Sequence, residues 1–465
     1  MRHSPTSSLA LGLFFLCLPL SGQTAFAAGT SLLDSVEAAI SYNPELKAGQ
    51  ERRQAAGHAV DKARAGFFPS IAAEGSAGFS RRSDAGIRSF HDDKDMRSYG
   101  DAGVRLIQPL FQGGYTAADV AVRRAQHDSA DSQLEDSATS LAFQAITSHV
   151  EVLRRAELVV LAKNNVTEHA EILMTVRKRL GGQIATVGEL HQVEGRHARA
   201  LATLSSYEAA LDAAHAAYLN VTGKAAKNLE PAEQPGKVYA RLEEAFQASL
   251  NGNRRIQAAI QEVVAAGGEK DMAKSRFYPS INLEAGPSWH DRDNRGYGWV
   301  TDMGVGLRMR WDILSGGEDV ANVAMAGARI RQARHNLHMV MDSLGRDIEA
   351  TYSLYLHTLE QIGMYDAARR ASRLAREDYY RQFLSAQRSL LDVLDAENDY
   401  FYAAGQQVMS RGDRVIAGYR LLALGGDLLA GLGVDASRLR VQVPTSSEAV
   451  NNLRGAFPTQ LRNSK

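Results

Sequence analysis

The sequence predicts an α+β fold that combines long α-helices with a coiled-coil seam and a transmembrane β-barrel to which each chain gives four strands. Three observations predict it: an internal duplication, a change of hydrophobic period after two prolines, and helical stretches of unusual length. The chain has 465 residues, and its 53 basic side chains balance its 53 acidic ones. A zero net charge gives no support to nucleic-acid binding, so we expect no nucleic-acid partner.

The N-terminus has the features of a secretory signal peptide, which we assign to residues 1–27. Its apolar run, residues 9–20, is followed by small residues at Ala25 and Ala27, and it is too short to span a membrane. The only cysteine, Cys17, lies inside this segment. The predicted mature chain therefore offers no disulfide and no cysteine ligand for a metal.

The duplication is visible in two matching stretches. GFFPSIAAEG occupies residues 66–75, and RFYPSINLEAG occupies residues 276–286. Around them, residues 43–80 align without gaps with residues 253–290. A repeated half explains this likeness far better than chance does.

Each repeat is predicted to contain a helix, a strand hairpin, a long helix and a return helix. The first repeat is assigned to residues 28–240 and the second to residues 241–435, and a flexible periplasmic tail is expected at 436–465. The expected elements are a hairpin at 69–110, a long helix at 115–180 and a return helix at 186–222, then a hairpin at 279–312, a long helix at 318–383 and a return helix at 387–425.

Pro69 and Pro279 mark the points where helix changes to strand, because proline cannot continue the helical hydrogen-bond ladder. After each proline, apolar and polar residues alternate, as in an outer-membrane strand with one lipid face and one lumen face. A soluble, half-buried sheet is the alternative. The residues expected to face lipid in the first strands of the two hairpins are Ile71, Ala73, Gly75, Ala77, Phe79, Ile281, Leu283, Ala285, Pro287 and Trp289.

The long helices carry a coiled-coil seam. From Tyr115 to about Leu180 there is no proline, and a continuous helix of roughly 65 residues would be about 100 Å long. Gly181 and Gly182 are expected to end it by tolerating a positive φ. The apolar row at seven-residue spacing is Ala138, Ala145, Val152, Val159, Val166, Leu173 and Leu180.

Four strands are too few to close a membrane barrel, and open strand edges are prohibitive in lipid. We therefore expect several copies of the chain to pool their strands. This physical requirement does not give the number of copies.

The order of these features resembles the TolC family of outer-membrane efflux proteins. The F-[FY]-P-S-I junctions, the strand-to-helix glycine pairs and the stretch SLLDVLDAEND at 389–399 carry the resemblance, which covers roughly residues 30–435. It implies a homotrimer with one twelve-stranded barrel in the outer-membrane lipid and a helical tunnel extending through the periplasm.

The resemblance also implies partners: a periplasmic adaptor (membrane fusion) protein and an inner-membrane ABC or proton-driven transporter. The segments NPEL and ARAGFFPSI are most similar to the type I secretion branch, in which the duct passively conducts secreted protein. A multidrug efflux factor is the alternative. A periplasmic coiled-coil adaptor without a pore is less favoured, since it has no use for strands with a lipid-compatible face.

The stretch RSLLDVLDAEND contains the candidate gate. Asp392 and Asp395 are three residues apart and share a helix face, which on spacing alone indicates a solvated surface. The resemblance implies instead that they form acidic rings at the periplasmic entrance. It also implies that Arg388 helps to hold neighbouring helices shut, that Phe383 replaces a hydrogen-bonding tyrosine, and that Glu189 is the acidic partner of Arg388.

Motifs of catalysis are absent from the sequence, which has no phosphate loop, no G-x-S-x-G and no H-E-x-x-H. His335 and His338 are spaced for one helix face, and we interpret them as solvated histidines rather than metal ligands. We therefore expect no enzymatic activity, no cofactor and no metal.

Overall fold

The computed structural model describes residues 29–80, 96–236, 238–292 and 299–434 of the chain. The predicted signal peptide and the predicted tail at 436–465 lie outside the described residues, as does most of each loop between paired strands. In chain order the elements are α1 (Leu32–Tyr42), α2 (Pro44–Ala65), β1 (Ser70–Ser80), β2 (Arg97–Gln112), α3 (Tyr115–Gly181), α4 (Val187–Thr222), α5 (Leu242–Gly252), α6 (Arg254–Ser275), β3 (Ser280–Arg292), β4 (Trp299–Arg310), α7 (Glu318–Leu384), α8 (Leu390–Gly425) and α9 (Leu428–Gly431).

The same helix start is built twice. The side chain of Asn43 accepts a hydrogen bond from the backbone N–H of Glu45 at 2.8 Å, and Asn253 accepts one from Arg255 at 2.9 Å. An asparagine in this position satisfies an N–H group that the first turn of a helix leaves without a partner. The two asparagines therefore fix the starts of α2 and α6 at matching places in the repeats.

The long helices of the two repeats have identical lengths. Helices α3 and α7 each contain 67 residues, and α4 and α8 each contain 36. Gly114 and Gly317 precede α3 and α7 with φ of 86° and 92°, values that suit glycine because it has no Cβ. None of the helices in the described ranges is both long and apolar enough to cross a membrane.

The predicted seam of α3 is buried over most of its length. Val166 and Leu180 are half-buried, whereas the other five positions are buried. The positive φ that we expected at the glycines ending this helix is found one residue later, at Gln183, with φ of 59°. The shift occurs because the N–H of Gly182 still bonds to Lys178 in a helical turn, so the reversal falls on the next residue.

The described strands form one antiparallel sheet in the order β1-β2-β3-β4. Strands β2 and β3 pair within the chain, with a register shift between Pro109 and Phe111. β2 is 16 residues long, which exceeds the ten or so that we expected. No strand in the described part of the chain pairs with the outer edge of β1 or of β4.

The two faces of the sheet differ as the alternation predicted. On one face, Ile71, Met303 and Val305 expose 70%, 87% and 74% of their surface, which is unusual for apolar residues. The other face carries ion pairs between neighbouring strands: Glu74 with Arg105 at 3.2 Å, and Glu284 with Arg308 at 2.7 Å. One face is thus compatible with lipid and the other with water.

A large apolar core lies where α1 and the C-terminal end of α8 pack against α3. Beside it, the Ser35 hydroxyl lies 2.8 Å from the Nδ1 of His149 and 2.8 Å from the Tyr218 hydroxyl. The Nε2 of His149 lies 2.8 Å from the carbonyl oxygen of Glu230. These bonds join the first helix, both long helices of the first repeat and the linker that follows them.

Candidate functional site

The ends of the α3–α4 and α7–α8 helical hairpins lie side by side and share an apolar core. Residues from all four helices contribute to it, so the two hairpins are packed against each other at their tips. We call this group the tip cluster; it consists of Ile172, Leu173, Val176, Val193, Phe383, Leu390, Val393 and Leu394.

Two residues of the candidate gate begin the return helices. The carboxylate of Glu189 accepts hydrogen bonds from the backbone N–H of Thr186 at 2.7 Å and from its hydroxyl at 3.1 Å. Asp392 accepts a bond from the Ser389 hydroxyl at 2.8 Å in the same way. Both pairs are capping boxes. The cap hydroxyl accepts a hydrogen bond from the backbone N–H of the acidic residue three positions later, and the carboxylate of that residue accepts one from the backbone N–H of the cap residue.

Arg388 lies near the turn of the second hairpin. Its Nη1 is 3.7 Å from the Oδ2 of Asp392, and its guanidinium lies 3.9 Å from the centre of the Tyr379 ring. Within one chain, then, Arg388 pairs with Asp392 and Glu189 serves as a cap. The contacts of the described residues do not include an Arg388–Glu189 bridge, which stays a prediction.

Phe383 is a buried member of the tip cluster rather than a hydrogen-bonding latch. It exposes 4% of its surface. Arg179, from the last turn of α3, donates a hydrogen bond to the Phe383 carbonyl oxygen at 2.6 Å and places its guanidinium 4.4 Å from the ring centre. This contact joins the two hairpins without a tyrosine hydroxyl. A basic residue in the final turn of a helix was the sequence signal for it.

Asp395 has a cationic partner on the other hairpin. The Nη2 of Arg196, on α4, lies 3.1 Å from the Oδ1 of Asp395, on α8. Because Asp392 is near Arg388, both predicted pore carboxylates have an arginine close to them within the chain. Sequence spacing could not predict Arg196, since the two residues are 199 positions apart.

A buried ionic group lies farther from the tips. Glu397 exposes 3% of its surface, and its Oε1 is 3.4 Å from the Nε of Arg376. The Nη1 of Arg376 is 3.7 Å from the Oε1 of Glu168, on α3. Burial raises the pKa of Glu397 to about 7; the positive charge of Arg376 opposes this rise, and the negative charge of Glu168 adds to it.

Next to Glu168, His169 is also buried. Burial and the positive charges of Arg196 and His197 lower the pKa of His169 to about 4. Glu397 and His169 are therefore both held largely in their uncharged forms at mildly acidic pH.

Pro69 and Pro279 lie at the other end of the helices, each directly before a strand. Helix α2 ends at Ala65 and β1 begins at Ser70, while α6 ends at Ser275 and β3 begins at Ser280. The aromatic residues of these two connections are largely exposed: Phe67, Phe68, Phe277 and Tyr278. That the junctions mark the inner edge of a membrane stays a prediction.

Within the described ranges, no three side chains of His, Cys, Asp or Glu are grouped so that they could hold a metal ion. The tip region instead offers apolar packing, helix caps and arginine–carboxylate pairs. Exposed pairs of this kind contribute only ~0–1 kcal/mol each, so they are contacts that modest forces can break.

The chain is similar to proteins of known classes. The model of the family described as "Outer membrane efflux protein" matches residues 36–224 and 245–427. The outer membrane efflux protein BepC of Brucella suis is 27% identical over 343 residues, 72% of this chain and 74% of that protein. The proteases secretion protein PrtF of Dickeya chrysanthemi is 24% identical over 406 residues, 84% of this chain and 86% of that protein.

Solved structures share the fold at low identity. The structure of CusC, a protein that forms a transmembrane channel, has a TM-score of 0.75 at 17% identity, and the match covers 93% of this chain and 98% of CusC. The outer membrane protein VceC of Vibrio cholerae has a TM-score of 0.71 at 17% identity, and the match covers 86% of this chain and 96% of VceC. The chain belongs to the outer membrane efflux protein family, and it is an outer-membrane efflux channel protein.

Proposed function

We propose that three copies of this chain form the outer-membrane exit duct of a tripartite type I secretion system. In this proposal the duct conducts a secreted protein that an inner-membrane ABC transporter delivers through a periplasmic adaptor protein. The duct itself catalyses no reaction, and the energy for transport comes from the transporter.

The observation that carries the assembly is the four-stranded sheet, whose two outer edges have no partner strand among the described residues. In lipid, an unpaired backbone N–H or C=O group costs several kcal/mol, so β1 and β4 need partner strands. Strands of neighbouring copies meet that need when the sheet closes on itself. Three chains would give twelve strands, which lies within the range of known membrane barrels.

A relative that matches most of the chain supports the proposed protein cargo. PrtF, named as a proteases secretion protein, matches 84% of this chain. The second candidate is efflux of small molecules by a multidrug system, with a proton-driven transporter as the partner. It is supported by the higher identity to BepC, which is named as an efflux protein.

The assembly is tested by native mass spectrometry of the detergent-purified protein and by recordings in planar lipid bilayers. We expect a particle of three copies that inserts and conducts ions. A monomer that inserts without conducting would contradict the duct.

The cargo is tested by deleting the gene and comparing the culture medium with drug susceptibility. We expect at least one protein to disappear from the medium while drug susceptibility stays unchanged. The opposite pattern, an unchanged medium with increased susceptibility, would favour the multidrug system. Complementation with the intact gene serves as the control for both measurements.

A further inference from the structure

The first residues that the structure describes lie along the linker between α4 and α5, residues 223–241. The backbone N–H of Thr30 donates a hydrogen bond to the carbonyl oxygen of Asn228 at 2.9 Å. The N–H of Glu230 donates one to the carbonyl oxygen of Thr30 at 3.0 Å, so Thr30 and Leu229 form a parallel bridge. The start of the described chain is therefore fixed against the segment that joins the two repeats.

The same part of the linker is tied to the interior of the protein. The carbonyl oxygen of Glu230 lies 2.8 Å from the Nε2 of His149, a fully buried residue of α3. A carbonyl oxygen can only accept a hydrogen bond, so Nε2 carries the proton, and Nδ1 accepts a bond from the Ser35 hydroxyl at 2.8 Å. The backbone of Glu230 is thus held from the inside, whereas the residue itself is exposed at the surface.

The side chain of Glu230 passes close to the backbone of Gly29. A Cβ placed on Gly29 would lie 2.6 Å from the Cγ of Glu230 and 2.8 Å from its Oε1, so glycine is what allows the carboxylate to come this near. In the described part of the chain, no cationic side chain pairs with this carboxylate. An unpaired negative charge therefore lies beside the first described residue.

Maturation of the chain would bring a positive charge to the same place. Cleavage of the predicted signal peptide after Ala27 makes Ala28 the first residue, directly before Gly29. Because one residue spans at most about 3.6 Å, the new α-ammonium group is within reach of the Glu230 side chain. A free α-amino group is charged at neutral pH, whereas in the uncleaved precursor the same nitrogen belongs to an uncharged amide.

We propose that removal of the signal peptide creates an ion pair between the α-ammonium group of Ala28 and the carboxylate of Glu230. The pair fastens the start of the mature chain to the linker between the repeats. The precursor lacks this contact, so processing at the N-terminus stabilises the connection between the two halves of the chain. The inference depends on the predicted cleavage site, and it is independent of what the duct conducts.

The test uses the purified mature protein, whose first residue is identified by mass spectrometry. We expect Ala28, and a different first residue would overturn the inference. Transamination with pyridoxal phosphate then replaces the N-terminal amine by a ketone and leaves the lysines unchanged. Hydrogen exchange in segment 228–230 should become about two- to fivefold faster, the effect of losing one exposed ion pair. Glu230→Gln should give the same acceleration without the treatment.

Combining the two changes decides whether the two groups interact. Transamination of Glu230→Gln should cause no further acceleration, because each change removes the same pair. Glu233→Gln, the matched control, alters an exposed carboxylate of the same linker. It should exchange as the wild type does both before and after the treatment. An equal acceleration by transamination in the wild type and in Glu230→Gln would overturn the inference, and so would an unchanged exchange rate in the treated wild type.

Discussion

Glu397 is a carboxyl group whose charge state the surrounding helices control. Its pKa is raised from 4.5 to about 7 mainly by burial, while Arg376 on α7 lowers it and Glu168 on α3 raises it. A group whose pKa is higher in the folded state stabilises that state at pH values below its unfolded pKa. The contribution is lost as the pH rises through about 7, and it amounts to at most about 3 kcal/mol per chain.

Glu397→Gln is therefore expected to flatten the pH dependence of stability. Between about pH 5 and about pH 8, the melting temperature of the wild type should fall relative to that of the variant. The wild type has to ionise a buried carboxyl group over this range, whereas glutamine carries no charge. His169 acts in the opposite direction, since its lowered pKa favours the folded state above about pH 6.5, but it does so equally in both proteins. The difference between their melting curves isolates Glu397.

The control for this measurement is Glu377→Gln, which changes a half-exposed carboxylate on α7. It should follow the wild type at every pH. Parallel curves for Glu397→Gln and the wild type would show that the carboxyl group titrates normally, and they would remove the physical basis for a pH effect at this position.

Phe383 shows how one apolar side chain joins the hairpins. Phe383→Ala should cost about 3–5 kcal/mol in the tip region, because it removes a buried ring and leaves a cavity. We expect faster proteolysis at the two turns without loss of the sheet. The neighbouring Leu384 exposes 54% of its surface, and Leu384→Ala should leave the cleavage rate nearly unchanged. Equal rates for the two variants would contradict the role of the tip cluster.

At the scale of elements, most of the architecture could be predicted from the sequence because it depends on local periodicity. The alternation after Pro69 and Pro279 predicts the two faces of the sheet, and the seven-residue row predicts the buried side of α3. Contacts between helices could not be predicted in this way. Arg196 and Arg376 find their partners through tertiary packing, which leaves no spacing signal in the chain.

The helix-capping roles of Glu189 and Asp392 were not predicted from the sequence, for a different reason. T-V-G-E and S-L-L-D both carry the capping-box pattern, but the resemblance drew attention to Glu189 and Asp392 as gate residues. The two roles are compatible, because a capping carboxylate keeps its charge. Local structure therefore explains why an acidic residue recurs at this point of both repeats.

The turn of the second hairpin holds a residue in a costly conformation. Ala386 has φ of 62°, where a Cβ costs roughly 1–2 kcal/mol relative to glycine. Ala386→Gly should therefore raise stability by about 1 kcal/mol, after allowance for the greater freedom of glycine in the unfolded chain. Ala350→Gly, at an exposed position inside α7, should lower it by about 1 kcal/mol. Chemical denaturation of both variants checks the two signs; destabilisation by Ala386→Gly would contradict the prediction.

At the scale of the whole molecule, the two repeats have the same element lengths but different charged contacts. At the helix–strand junction of the second repeat, Arg276 pairs with Glu318 at 3.0 Å. The matching residues of the first repeat are Gly66 and Tyr115, which cannot form such a pair. A shared backbone plan thus carries independent side-chain networks, and a threefold assembly would contain two kinds of junction around its circumference.

The last prediction concerns ion selectivity of the proposed trimer. Asp392 and Asp395 lie near Arg388 and Arg196 within each chain, so these four side chains carry no net charge. Rings of paired carboxylates should favour cations less than rings of free ones, because the arginines offset their potential. Arg196→Gln leaves Asp395 without its partner and should increase the preference for cations. Asp395→Asn leaves Arg196 without its partner and should decrease it.

Reversal potentials across a salt gradient in planar bilayers measure this preference. Arg199→Gln is the matched control, because Arg199 is an exposed arginine on the same helix whose side chain bonds to the backbone of Gly195. The two variants should shift the reversal potential in opposite directions, while the control stays with the wild type. The shifts should be smaller at high salt, because the screening length falls to about 3 Å at 1 M and the charges then act on passing ions only at very short range. Unchanged reversal potentials in both variants would mean that the Arg196–Asp395 pair does not face the ion path, and shifts of one sign would contradict the charge argument.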